Sequence, residues 1–128
     1  MLAPAILVTL HDFGGAFAAA DALVREDPAQ TGALATRFDA ELELGRVDEA
    51  RADLEELLPI GGAGVRIREA RLASVTGDSL TALANARSAR TAALADGIAD
   101  AGFYAYAEGE YARLAGDAPA ARAAFSDA

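Results

Sequence analysis

A glycine followed five residues later by an alanine recurs along this chain, and that recurrence constrains the fold more than any other feature. Gly15 and Ala20, Gly45 and Ala50, Gly77 and Ala82, and Gly116 and Ala121 share the plan, and Val24, Leu54, Ala86 and Phe125 follow four residues further on. The glycines stand 30, 32 and 39 residues apart. Spacing of that order predicts helix-turn-helix units, each too thin to bury its own apolar face and therefore stacked on its neighbour. The expected class is all-α, an α-solenoid of about four antiparallel hairpins with eight helices, in one domain over residues 1–128.

Composition points the same way. Hydrophobic residues make up 53% of the 128 and aromatic residues only 6%, with alanine dominant. Alanine loses no side-chain entropy in a helix, and small side chains let helix axes approach to the short end of about 8–10 Å. The formal charge is −9 and every strong cation is arginine. Such a chain repels phosphate backbones and carries no arginine stripe, so no nucleic-acid partner is expected. The absence of cysteine excludes disulfides and thiolate metal sites. Leu2 to Leu10 is apolar, but no basic residue precedes it and it has about half of the roughly 20 residues a membrane span needs. The expectation is a buried first helix, no membrane partner and a cytoplasmic location.

Helix boundaries follow from spacing and breakers. Leu2, Ile6, Leu10 and Phe13 predict a first helix over Met1 to Phe13, broken by Gly14-Gly15, and a second runs to Asp27 before Pro28. Leu34, Phe38 and Leu42 predict a third over Thr31 to Leu44. Val47, Ala50, Leu54, Leu57 and Leu58 form the apolar stripe of the fourth, which Pro59 and Gly61-Gly62-Ala63-Gly64 end. Val65 to Thr76 is the fifth, and the sixth runs from an Asp78 or Ser79 cap to about Ala95. Ala101 to Ala115 is the seventh, and Asp117 caps an eighth with Pro119 in its first turn. The eighth stops in mid-pattern at Ser126-Asp127-Ala128. The chain is therefore expected to be part of a longer array, with apolar surface exposed on its last hairpin.

With these residues in place the chain resembles tetratricopeptide repeats, whose units carry a small residue on the first helix and Ala-x-x-x-Phe on the second. Ala121 and Phe125 match the second-helix pair outright, and Ala20/Val24, Ala50/Leu54 and Ala82/Ala86 match it with smaller partners. Gly109 and Ala70 fall at the small first-helix position, and Phe17 where an aromatic often follows the turn. The family's tryptophan is missing, and Arg37 and Glu108 occupy its usual leucine position. The resemblance implies that first helices line a concave surface holding a protein or peptide. In that register Asp39 and Glu43, Arg71 and Ser74, and Tyr106, Glu110 and Arg113 face the groove. Lysine and asparagine clamps that hold a peptide carboxylate in some members are lacking, because the chain has no lysine and its one asparagine, Asn85, lies on a second helix.

Little in the sequence points to catalysis. His11 is the only histidine, with no serine or cysteine nucleophile and acidic partner set around it. Gly61-Gly62-Ala63-Gly64 follows a helix and lacks the lysine of a phosphate-binding loop, so it reads as an inter-repeat linker. Glu41, Glu43, Asp48, Glu49, Asp53, Glu55 and Glu56 have arginines interleaved and read as a solvated face. None of them has the alternating spacing of a calcium loop. Phe103, Tyr104, Tyr106 and Tyr111 gather on one helix, as core or as groove anchors, since tyrosine and arginine are the types that anchor interfaces. The expectation is a binding scaffold rather than an enzyme, without cofactor or metal. Its rivals are an accessory segment of a larger enzyme and an element that self-associates through the uncapped last hairpin.

Overall fold

The computed structural model describes residues 3–98 and 100–128. Among them the chain is all-α, with eight helices, one 3-10 turn and no strand. The backbone divides into two compact units, Met1–Ile60 and Gly61–Ala128. The first holds α1 (Pro4–Thr9), α2 (Phe13–Glu26), α3 (Thr31–Glu43), α4 (Val47–Leu57) and the 3-10 turn Leu58–Ile60. Successive helices pack on one another there, and α1 also touches α3. The second holds α5 (Ala63–Val75), α6 (Ser79–Ala95), α7 (Ala101–Leu114) and α8 (Ala118–Ser126), again with successive helices in contact. None of the described helices is long and apolar enough to cross a membrane.

Three hairpin turns share one construction. Gly45, Gly77 and Gly116 hold φ of 77°, 86° and 80°, a left-handed conformation that costs a residue with a Cβ about 1–2 kcal/mol. Each glycine N–H bonds back to the carbonyl three residues earlier and the next N–H to the carbonyl five earlier, as in Arg46 N to Glu41 O at 2.8 Å. This doubled bond satisfies carbonyls that the helix end would otherwise leave open. Asp78 and Asp117 then cap the following helices, accepting from Thr81 N at 3.1 Å and Ala120 N at 3.0 Å.

The first turn is built differently from the expectation. His11, not Gly14 or Gly15, takes the left-handed conformation, with φ of 59°, and the doubled bond runs from His11 N to Val8 O and Asp12 N to Leu7 O. Asp12 caps α2 by accepting from Gly15 N at 2.9 Å, so both glycines lie inside the first turn of α2. A β-carbon on Gly15 would meet the Asp12 carboxylate at 2.5 Å, which explains that glycine without a turn. With His11 in place of Gly15, the interval to Gly45 becomes 34 residues, and the alanine five beyond the turn becomes Ala16.

Alanine fills the core as expected. Ala20, Ala50, Ala82 and Ala121 are all buried, and so is Ala16. Phe38 and Leu57 are the largest side chains fully enclosed. The buried first helix does not hold. α1 ends at Thr9, Ile6 and Leu10 are exposed, and Leu7 and Val8 are half-buried instead; Met1 and Leu2 lie outside the described residues. Leu58, expected in the α4 stripe, is exposed because the 3-10 turn rotates it outward. The expected linker Gly61–Gly64 is shorter than read: Gly61 and Gly62 have positive φ, while Ala63 and Gly64 already belong to α5.

Candidate functional site

The residues assigned to a groove fall on three helices. Asp39 (half-buried) and Glu43 (exposed) lie on α3 in the first unit. In the second unit Arg71 and Ser74 are half-buried on α5, and Tyr106, Glu110 and Arg113 lie on α7. Arg113 Nη2 donates to Glu110 Oε2 at 3.0 Å, one turn apart on the surface. Tyr106 is 54% exposed and Phe103, three residues earlier, 56%. The Tyr106 ring leans on Phe125 with centroids 5.6 Å apart, and Phe103 meets Tyr104 edge-on at 5.2 Å. Residues 103, 106, 110 and 114 recur at helical spacing, so Phe103, Tyr106, Glu110 and the exposed Leu114 share one face. Tyr111 turns the other way. Burial raises its phenol, and the charge of Arg71 from α5 works against that rise.

The carboxylates read as a solvated face divide into two sets. Glu43, Asp48, Glu49, Glu55 and Glu56 are exposed, but Glu41 is 2% exposed and Asp53 5%. Asp53 is held inward by Arg37 of α3. Its guanidinium donates through Nε to Asp53 Oδ2 at 2.8 Å and through Nη2 to Asp53 Oδ1 at 2.6 Å. Its third nitrogen, Nη1, donates to Asp21 Oδ1 of α2 at 3.0 Å. The planar fork of arginine suits this two-sided grip, which ties α2, α3 and α4 together. Asp21 also accepts from Arg25 Nε at 2.8 Å.

Glu41 is the member left over. Its Oε1 lies 4.0 Å from Arg37 Nε and has no hydrogen-bond partner. Burial first, then a hydrogen bond shared with Asp53 and the charge of that carboxylate, push the Glu41 carboxyl up to about 9, with Arg37 opposing. Glu41 is therefore protonated near neutrality. The hydrogen bonds that Arg37 donates to Asp53 hold its guanidinium charged against the cost of burying it. Beside the cluster opens a cleft of about 320 Å³, lined by Phe17, Asp21, Arg37, Glu41, Glu49 and Asp53, with Arg25 and Ala52. The Arg46 guanidinium lies 4.3 Å from the centre of the Phe17 ring, a cation–π contact that closes one wall.

The second unit carries a cluster of opposite sense. Glu108 of α7 accepts from Arg90 Nη1 at 3.1 Å and pairs with Arg87 Nε at 3.5 Å, both on α6. Arg90 Nη2 reaches on to Asp127 Oδ2 at 2.7 Å. Arg37 and Glu108 are the two residues standing where the resemblance expects leucine, and each is the hub of its unit's charge network. No three His, Cys, Asp or Glu side chains among the described residues are arranged to hold a metal ion. His11 is exposed and packs edge-on against Phe13 at 5.6 Å.

Family models and curated proteins give no match to this chain.

Proposed function

We propose that this chain is a protein- or peptide-binding module built of tetratricopeptide-like hairpins, and that the α7 face bearing Phe103, Tyr106, Glu110 and Arg113 takes the partner. The observation that carries this reading is the outward position of two aromatic rings three residues apart, each more than half exposed. Aromatic and arginine side chains are the types that anchor interfaces, because they bury much area for little lost freedom. The Glu110–Arg113 pair gives the face a polar rim whose charges already satisfy one another.

The test is capture of partners from the native lysate with the full chain as bait. Phe103→Ala with Arg113→Ala should abolish capture while leaving the melting temperature within a few degrees. Leu80→Ala, at an exposed site on α6, should leave capture intact. Undiminished capture by the α7 variant would discard the face. The same exposed apolar residues, with Leu114, also favour pairing between copies of the chain. Sedimentation separates the two readings, since pairing alone makes the mass depend on concentration and Phe103→Ala would remove that dependence.

A further inference from the structure

The charge cluster of the first unit is more than a structural brace. Arg37, Asp21, Asp53 and Arg25 satisfy one another at 2.6–3.0 Å. Glu41, which lines the cleft with them, does not join this set through Oε1, the buried oxygen that lacks a donor. A buried acceptor left open in a native protein calls for a donor that the chain itself does not supply. The cleft beside it, at about 320 Å³, is at the small end of the roughly 300–1,000 Å³ typical of ligand pockets.

The charges of the lining choose the ligand. Asp21, Glu41, Glu49 and Asp53 line the cleft together with Arg25 and Arg37, and Arg46 lies on the Phe17 ring while reaching Glu49 at 3.8 Å. With Glu41 protonated, the carboxylates of Asp21, Glu49 and Asp53 balance Arg25, Arg37 and Arg46. The site turns net negative once Glu41 ionises, so it is a cation rather than an anion that the ionised site favours. α1 adds no charged side chain to the unit. A guanidinium ligand would need a second planar grip like that of Arg37 on Asp53, whereas the open acceptor is a single oxygen. A compact ammonium with rotatable donors fits a single acceptor better.

We propose that the cleft between α2 and α4 binds a primary alkylammonium group, which donates a hydrogen bond to Glu41. The group comes either from a lysine side chain of a partner or from a free diamine. One positive charge replaces another: the ammonium enters as the Glu41 proton leaves to solvent, so the charge of the site is unchanged. This site lies in the first unit and is independent of the α7 face, so either can fail alone.

Calorimetry on the full chain tests it, with capped lysine (N-acetyl-lysine methylamide) and 1,5-diaminopentane as probes and capped norleucine as the uncharged control. Both amines stay protonated from pH 6 to 8. Saturable binding should tighten by up to about tenfold per pH unit over that range. Titrations in buffers of different ionisation enthalpy should show about one proton released per ligand, the linkage limit for one ionising group. Glu41→Gln keeps a donor toward Asp53 but cannot ionise, so it should remove both the proton release and the pH slope. Glu49→Gln, at the exposed rim, should weaken binding by about twofold and covers the case in which the Glu41 variant does not fold. Tighter capped lysine identifies a side-chain ligand, and tighter diamine a free one. No saturable heat at millimolar probe, equal binding of norleucine, or binding without proton release would overturn the site.

Discussion

Phe125 lies across Gly109 so closely that a β-carbon on the glycine would come within 2.5 Å of two ring atoms. Here α7 and α8 meet closely, and the absence of one side chain makes room for another. Gly109→Ala gains about 1 kcal/mol of helix propensity but overpacks the seam at about 1–3 kcal/mol. Chemical denaturation should show a net loss of about 1 kcal/mol. Adding Phe125→Ala should cost less in the Gly109→Ala background than alone, because the clash is gone.

His11 holds a left-handed conformation that the other hairpin turns give to glycine. His11→Gly should stabilise the chain by about 0.5–1 kcal/mol, the gain from relieved strain exceeding the added freedom of the unfolded chain. Differential scanning calorimetry would read this as a rise in melting temperature.

Arg37 satisfies two acidic side chains on the helices flanking its own. Removing one partner of a buried ion pair strands the other. Arg37→Leu should cost about 2–4 kcal/mol in urea unfolding, somewhat below the fully buried case because the side chain is partly exposed. Arg37→Leu with Asp53→Leu should cost less than Arg37→Leu alone.

Glu41 gives stability a distinctive pH dependence. Its carboxyl is raised from 4.5 to about 9 in the folded chain, so between those values the folded state holds a proton that the unfolded state has lost. Stability from this group is full below about 4.5, falls as pH rises through the interval, and is gone above about 9. Glu41→Gln should flatten this limb, and at pH 8 the variant should unfold at higher urea than the parent chain.

The hairpins could be read from sequence because their signals are local. A glycine that can adopt positive φ, followed by an aspartate that caps, leaves a mark within a few residues, as at Gly77-Asp78 and Gly116-Asp117. The first turn escaped because histidine stands in the glycine's place; the remaining clue was Asp12, three residues ahead of Gly15, at cap spacing. The burial of Glu41 and Asp53 escaped for another reason. What holds Asp53 inward is Arg37, 16 residues away, a distance at which sequence proximity, which offers the interleaved arginines of the same stretch as partners, gives no sign. The one visible trace was Arg37 itself, a charge in a slot that otherwise takes leucine. On α7, helical spacing alone puts Phe103 three residues before Tyr106 on the same face, whereas its exposure follows from packing with the other helices, which is not local in sequence.

The two charge networks are of opposite sign at their centres, Arg37 between acids in one unit and Glu108 beside arginines in the other. Each seam is thus keyed to its own neighbour. Transplanting the α7–α8 hairpin into the place of α3–α4 would set Glu108 beside Asp21, carboxylate against carboxylate. Exchange of hairpins within this chain therefore carries an electrostatic cost set by their ion pairs.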